Sequence, residues 1–221
     1  MIDHSLLHPT MTDTDLKREC EIARKYDVAS VCIKPYAVKM AVELLKNSNV
    51  LVGTVIGFPH GNSATSIKTL ETEQACKDGA VEIDMVVNIG KVLSEDWEYV
   101  EKEIQAIQTV VESHDAILKV IFENDFLPED KFIIRLCEIC SKVGVGFVKT
   151  STGYGFSKAT EHAVKLMRKH SDSSVEVKAA GGIRTWEDSV RYRSYGVTRI
   201  GASATEKILT KGKSLSGTEG Y

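Results

Sequence analysis

The sequence predicts a single-domain (β/α)8 TIM barrel, an α/β fold. Short apolar runs alternate with longer amphipathic stretches from end to end, and eight such pairs fit within 221 residues. This alternation is typical of parallel βαβ units, and eight units without a linker between them favour closure into a barrel. A doubly wound open sheet is the main alternative, but it usually has fewer strands, and no Gly-x-Gly-x-x-Gly follows the first strand.

The strand candidates are short runs rich in Val and Ile, a composition that suits a buried parallel strand. They span residues 2–7, 28–33, 50–57, 81–87, 116–122, 146–150, 175–179 and 198–201.

Each strand candidate is followed by a helix candidate. Thr12 or Thr14 can cap the first helix, and Pro128 suits the first turn of the fifth. In chain order we predict helices from the Thr12 or Thr14 cap to residue 26, then 37–46, 63–77 and 94–113, one that starts near Pro128, one capped by Ser157, and lastly 185–195 and 202–209. We expect the barrel to occupy residues 1–210, and residues 211–221, rich in Gly, Ser and Lys, to form a flexible tail.

Composition excludes several functional classes. The 28 basic and 31 acidic residues are interspersed, with a net charge of -3, so no basic stripe predicts nucleic-acid binding. No apolar run is long enough to span a membrane, and the N-terminus lacks the basic and apolar regions of a signal peptide. Five cysteines do not make a disulfide framework. We therefore expect a soluble cytoplasmic protein that acts on a small molecule.

Four charged residues stand out near the ends of strand candidates, where a core residue is expected: Asp84, Lys119, Lys149 and Lys178. In a barrel, active sites lie at the carboxyl ends of the strands. The three lysines are about one βα unit apart and should lie on neighbouring strands, with the mouth as their only solvated destination. An outward-facing charge is the alternative for any one lysine. Asp84 could equally be a helix cap or an ion-pair partner, and Glu82 shares its strand face.

A pair of neighbouring lysines is a device for making one of them a nucleophile. Only a neutral amine attacks a carbonyl, and an ordinary lysine is almost fully protonated at pH 7. A second cation about 7 Å away contributes roughly 2.4 kcal/mol toward the neutral form at an effective dielectric constant of about 20, and burial adds to it. Asp84 could then carry protons between the steps of a Schiff-base reaction.

Glycines and a serine form a second group of candidates. Gly153 follows the strand of Lys149, Gly181 and Gly182 follow the next strand, and Ser203 follows the last. Backbone N–H groups at such turns bind anions, and the loops after the last two barrel strands commonly bind phosphate. Plain turn geometry is the alternative for the glycine pair, and a helix cap for Ser203.

No metal or cofactor site is expected. Cys137 and Cys140 lie in a helical pattern without a second Cys or His pair, so we interpret them as packing residues. The six histidines are scattered. Cys32 lies near a strand end and could face the pocket, although a core position is the simpler interpretation.

Six motifs covering nearly the whole chain resemble those of the deoxyribose-phosphate aldolase family, in the family's order. They are IDHSLL at residues 2–7, VCIKP at 31–35, GFPHG at 57–61, EIDMV at 82–86, FVKTSTG at 147–153 and KAAGGIR at 178–184. The lysine-containing pair at 149–153 and 178–184 is the most specific of these.

The resemblance implies a class I aldolase that reversibly cleaves 2-deoxy-D-ribose 5-phosphate to acetaldehyde and D-glyceraldehyde 3-phosphate. It implies Lys149 as the Schiff-base lysine, Lys178 as the cation that favours its neutral form, and Asp84 as the proton relay. Asp3 falls at a mouth-facing aspartate of the family, and the phosphate positions fall on Gly153, Gly181, Gly182 and Ser203. The resemblance further implies no metal or other cofactor, and a homodimer.

A few positions depart from the family pattern. Ser5 stands where threonine is frequent, and Ala204 stands where many relatives have a second serine. The segment after Lys119, residues 120–124, is less typical in its second half and could alter the pocket wall. Some relatives end in a tyrosine that folds over the site, and Tyr221 is the candidate for that role here.

Two other functions remain open at this stage. A Schiff-base dehydratase or transaldolase would use the same lysine on a different sugar phosphate, and release of acetaldehyde would exclude both. A non-catalytic sugar-phosphate-binding barrel would not need the two lysines and Asp84 together, so their presence argues against it.

Overall fold

Eight parallel strands close into a barrel in which each strand pairs with the next along the chain and β8 pairs with β1. The computed structural model of the protein describes residues 1–156 and 158–216, with the backbone alone over 211–216. The strands are β1 (Ile2–Leu6), β2 (Ser30–Ile33), β3 (Leu51–Ile56), β4 (Glu82–Val86), β5 (Ile117–Ile121), β6 (Phe147–Lys149), β7 (Glu176–Ala180) and β8 (Arg199–Ala202). The predicted fold class is therefore confirmed.

Helices follow the strands around the outside of the barrel. They are α1 (Asp13–Lys25), α2 (Val38–Leu45), α3 (Thr65–Lys77), α4 (Ile89–Leu93), α5 (Trp97–Ser113), α6 (Asp130–Val143), α7 (Glu161–His170), α8 (Trp186–Ser194) and α9 (Thr205–Ser216). Thr12 rather than Thr14 caps α1, because its side chain and that of Asp15 bond reciprocally to each other's backbone N–H groups.

Three helices differ most from the sequence-based prediction, and the other helix boundaries agree to within about three residues. The predicted helix 94–113 is two helices, because Glu95 adopts a left-handed conformation and Asp96 caps α5. The helix after β6 begins at Glu161, where the Thr160 side chain accepts the backbone N–H of Ala163. The predicted cap at Ser157 was therefore wrong, and Ser157 itself lies outside the described residues. The last helix continues to Ser216, so the predicted tail from residue 211 begins inside it.

Alternate residues along a strand point to two different regions, the apolar layer between strands and helices and the interior of the barrel. Ile83 and Met85 of β4 are fully buried in the apolar layer between strands and helices. Glu82 and Asp84 alternate with them, and their carboxylates bond to side chains of other strands across the barrel. Side chains alternate across a strand, so the apolar run of each strand fixes which charged residues face the barrel interior.

The pairing register sets how deep each lysine lies. Lys119 of β5 is level with Phe147 of β6, whereas Lys149 is level with Ile121. Lys149 is also level with Lys178 of β7. Lys119 therefore lies one interior layer below the pair formed by Lys149 and Lys178.

Candidate active site

Among the residues that the structure describes, seven charged side chains from six strands form one hydrogen-bonded cluster inside the barrel. The members are the carboxylates of Asp3, Glu82 and Asp84 and the cations of Lys119, Lys149, Lys178 and Arg199. The carboxylates and lysines are buried, and Arg199 is largely covered. A buried charge is tolerated when opposite charges and hydrogen bonds compensate it, which is what this cluster provides.

Lys119 lies at the bottom of the cluster and not at the barrel mouth. Its side chain is 0% exposed, and its amine lies 3.1 Å from Asp3, 2.7 Å from Glu82 and 2.8 Å from Asp84. Burial by itself lowers the pKa of Lys119, but the three carboxylates outweigh it and raise the pKa well above the ordinary value. The predicted position of Lys119 at the mouth was wrong, as was the outward-facing alternative, because the register places it a layer deeper.

Asp84 joins the two upper lysines. Its Oδ2 atom accepts hydrogen bonds from the amines of Lys149 and Lys178, each at 2.7 Å. Its other oxygen accepts from Lys119. Burial by itself raises the pKa of Asp84, but the three lysines hold it well below the ordinary value. Asp84 is therefore an ionised carboxylate in direct contact with the candidate nucleophile.

Lys178 remains a cation at neutral pH. Its amine donates to Asp3 and Asp84. Burial lowers the pKa of Lys178, but these two carboxylates more than offset that effect and the pKa lies above its ordinary value. Asp3 is likewise ionised, because Lys119 and Lys178 outweigh burial and hold its pKa at about 2. The adjacent positive charge that the sequence predicts next to Lys149 is thus present and fixed.

The balance of charge singles out Lys149. Four cations face three carboxylates in the cluster, so full protonation leaves one positive charge without its own partner. Lys119 contacts three carboxylates and Lys178 contacts two. Within the described part of the chain, Lys149 contacts only Asp84, through an oxygen that it shares with Lys178. Lys149 is therefore the lysine of the cluster with the weakest carboxylate contact.

A cavity of about 440 Å³ opens above the cluster. Lys149 and Lys178 form its floor with Asp3, and Lys149 is 3% exposed. The predicted phosphate residues lie in the same wall: Gly153, Gly181, Gly182 and Ser203, with Thr152 and Arg184 beside them. Every predicted site residue that the structure describes belongs either to this cavity or to the charged cluster below it.

The glycines of the wall adopt backbone conformations that side chains disfavour. Gly153, Gly181 and Gly182 have φ values of 90°, 97° and 74°. A Cβ on Gly182 would also lie 2.4 Å from the side chain of Lys158. Left-handed backbone is accessible to glycine at little cost, so these residues let the loops after β6 and β7 turn tightly where they line the cavity.

Part of the cavity lining is apolar. Leu6, Leu7, Met11 and Cys32 line it, and Phe58 packs against Leu7 and Cys32. Cys32 thus faces the pocket while also packing against apolar neighbours, and burial raises the pKa of its thiol to about 12. At neutral pH it is a small uncharged wall residue.

Sequence reasoning missed the roles of Glu82 and Arg199. Arg199 bonds to Glu82 at 2.8 Å, and Glu82 in turn bonds to Lys119. Arg199 shares a strand face with Gly201, so a charge inside the last strand was an available signal. Its partner is far away in the chain, however, and only barrel closure brings the two together. Tyr221 lies outside the described residues.

In the described ranges, no group of three His, Cys, Asp or Glu side chains has a geometry that could hold a metal ion. The same part of the chain holds no helix long and apolar enough to cross a membrane.

Comparison with known proteins agrees over nearly the full length. Residues 1–209 match the DeoC/LacD family of aldolases. The deoxyribose-phosphate aldolase of Rhodopirellula baltica is 48% identical over 217 residues, which are 98% of this chain and 90% of the relative. The namesake enzyme of Caldanaerobacter subterraneus is 47% identical over 96% of this chain and 92% of the relative. A solved tetrameric deoxyribose phosphate aldolase from Aeropyrum pernix superposes with a TM-score of 0.89 at 31% identity, covering 97% and 90% of the two chains.

Proposed function

This chain belongs to the DeoC/LacD aldolase family, and we propose that it cleaves 2-deoxy-D-ribose 5-phosphate reversibly to acetaldehyde and D-glyceraldehyde 3-phosphate through an imine on Lys149. One observation carries the proposal: Lys149 lies at the floor of the cavity and shares a single carboxylate oxygen with the permanent cation Lys178. That arrangement lowers the cost of a neutral, nucleophilic amine.

The first half of the reaction forms the imine. The neutral amine of Lys149 adds to the C1 aldehyde of the open-chain sugar, and loss of water leaves a protonated imine. The positive charge of the protonated imine lies near Asp84, where the ammonium charge of a protonated Lys149 would lie. The cluster therefore has the same distribution of charge in both forms. Asp84 is within hydrogen-bond distance of the amine, and it can accept a proton and return it as the carbinolamine forms and loses water.

The second half breaks the C2–C3 bond. The protonated imine accepts the bonding electron pair as an enamine, while the C3 hydroxyl gives its proton to the carboxylate of Asp84, which later returns it to C2, and becomes the aldehyde of D-glyceraldehyde 3-phosphate. Protonation at C2 and hydrolysis of the resulting imine release acetaldehyde and restore Lys149. The cation of Lys178 lies level with the imine nitrogen and that of Lys119 lies one layer below it. Because the ion pairs of the cluster hold both charges in place, they supply preorganised electrostatics of the kind that lowers such barriers.

The shape of the cavity fits this substrate. The glycine-lined wall supplies backbone at the end where the C5 phosphate would lie, with Ser203 and the cationic Arg184 beside it. These groups are of the kinds that bind phosphate. We assign Gly153, Gly181, Gly182 and Ser203 to phosphate binding, and Asp3 to holding Lys178 in place.

We further propose a cytoplasmic homodimer. The family resemblance supports the assembly, and elution with twice the mass of one chain in light scattering would test it. Five cysteines buried as thiols fit a reducing compartment, as does a phosphorylated substrate made inside cells.

Borohydride trapping tests the proposed reaction. We expect reduction in the presence of 2-deoxy-D-ribose 5-phosphate to add the sugar or the acetaldehyde carbons to the Lys149 peptide, detected by mass spectrometry. The Lys149→Ala variant should keep its fold and carry no adduct there. Acetaldehyde should appear as a product, which distinguishes this activity from a dehydratase or transaldolase. An adduct on Lys178 would show that Lys178, and not Lys149, is the nucleophile. An active enzyme without any adduct would refute the imine mechanism.

A further inference from the structure

Glu123 is a buried carboxylate that the reaction above does not use. It is the second residue after β5, is 2% exposed and lies in the left-handed region with φ 53° and ψ 63°. Left-handed backbone is costly for a residue with a long side chain and persists only where the surroundings demand it. Burial also raises the pKa of this carboxyl. Strain and desolvation together call for a specific explanation.

The strained backbone turns the Glu123 side chain toward the loop after β6. Phe122 donates its backbone N–H to the Lys149 carbonyl at 3.0 Å, and Asn124 donates to the Thr150 carbonyl at 3.1 Å. Two steps along one segment thus match a single step along the other. Glu123 is the extra residue of this bulge-like irregularity, and a bulge re-aims a side chain.

The carboxylate of Glu123 meets Thr152. It accepts the backbone N–H of Thr152 at 3.1 Å and also the hydroxyl of Thr152. The same hydroxyl accepts the backbone N–H of Tyr154 at 3.0 Å. One carboxylate therefore fixes three consecutive residues, because Gly153 lies between the two anchored positions. Thr152 and Gly153 line the cavity.

We propose that Glu123 is a positioning residue, which holds the 152–154 turn in the conformation that receives the substrate phosphate. The inference rests on the proposed function for the identity of that phosphate. It explains why a negative charge is tolerated near an anion site: the carboxylate lies behind the turn, and Thr152 covers it from the cavity side. Hydrogen bonding rather than charge is the feature that matters.

This distinction allows a sharp test with two variants. Glu123→Ala removes both acceptors. Glu123→Gln keeps an oxygen for the Thr152 N–H and offers an amide N–H to the Thr152 hydroxyl. Glu71→Ala is the control, because Glu71 also accepts a backbone N–H from a loop that follows a strand, that of Gly57 at 2.8 Å after β3.

The primary readout is the affinity of the full chain for inorganic phosphate, measured by titration calorimetry, with melting temperatures measured alongside. We expect Glu123→Ala to weaken phosphate binding by about tenfold, the equivalent of one good hydrogen bond. Glu123→Gln should stay within about twofold of the parent protein or bind more tightly, and Glu71→Ala should be unchanged. In Glu123→Ala, we also expect a raised KM for 2-deoxy-D-ribose 5-phosphate and an unchanged KM for unphosphorylated 2-deoxyribose.

Several outcomes would overturn the inference. Equal weakening in Glu123→Ala and Glu71→Ala would indicate general destabilisation, and equal weakening in Glu123→Ala and Glu123→Gln would indicate that charge is the important feature. Absence of phosphate binding by the parent protein would also overturn it. Failure of borohydride trapping, by contrast, would refute the proposed reaction while the phosphate affinities still decided the role of Glu123.

Discussion

Replacing Lys178 with leucine removes one of the two ammonium groups that share the Oδ2 atom of Asp84. Both amines lie 2.7 Å from that oxygen, so they are about 5 Å apart or less. At about 5 Å and an effective dielectric constant of about 20, one positive charge contributes roughly 3 kcal/mol, equivalent to about two pH units. Because the lost cation favoured the neutral form of Lys149, the pH profile of imine formation should move upward by about two units.

The assay is single-turnover borohydride trapping of 2-deoxy-D-ribose 5-phosphate between pH 6 and pH 10. We expect the Lys178→Leu variant to form the imine roughly 100-fold more slowly than the parent protein at neutral pH and to recover most of that loss at high pH. Lys178→Arg keeps the charge and should keep the parent profile, although its amplitude can fall. A profile that loses amplitude at every pH without moving would refute the charge argument, and melting temperatures would separate that result from unfolding.

Three further predictions concern the cluster and the cavity wall. Asp84→Asn should lower kcat by about 100-fold or more, as expected for loss of a proton-transfer group, while KM changes less than threefold; equal losses in both would indicate a structural role. Although burial raises the pKa of Asp3, neighbouring lysines hold it at about 2 against an ordinary 3.8, so its ionised form stabilises the fold by roughly 2 kcal/mol at pH 7. That contribution is present above pH 4 and disappears toward pH 2. The Asp3→Asn variant should therefore unfold at a lower urea concentration than the parent protein at pH 7, and the difference between the two midpoints should narrow below pH 4. A difference that stays constant with pH would contradict this. Gly182→Ala would place a Cβ 2.4 Å from the side chain of Lys158, on a backbone with a φ of 74°. We therefore expect the KM for the phosphorylated substrate to rise about tenfold. An unchanged KM would show that this turn does not bind the phosphate.

Much of the architecture was predictable because it follows from local pattern. The alternation of apolar runs and amphipathic stretches gives the (β/α)8 barrel, and the boundaries that failed depend on single caps, as at Asp96 and Thr160. Lys149 and Lys178 were predictable as neighbours because they lie one βα unit apart, and consecutive strands of a barrel pair side by side.

The depth of each charged residue was not predictable. Lys119 and Lys149 both look like strand-end lysines in the sequence, and only the register of β5 against β6 places one a layer below the other. The side-chain period of a strand repeats every two residues, so the pattern fixes the face of a residue but not its level. The hydrogen bonds of Glu123 were also not predictable, because they depend on its own left-handed backbone conformation, which no local sequence motif indicates.

The sequence by itself determined the barrel fold and brought Asp84, Lys149 and Lys178 together as candidates, since residue type and strand parity select the face on which a side chain lies. Only the tertiary structure decided which carboxylate serves which cation. The partnership of Arg199 with Glu82 and the sharing of Asp84 between Lys149 and Lys178 arise when the barrel closes and brings residues from distant parts of the chain into one buried space. In that space the electrostatic energy depends on distances of a few ångströms, and the linear order of residues does not encode such distances.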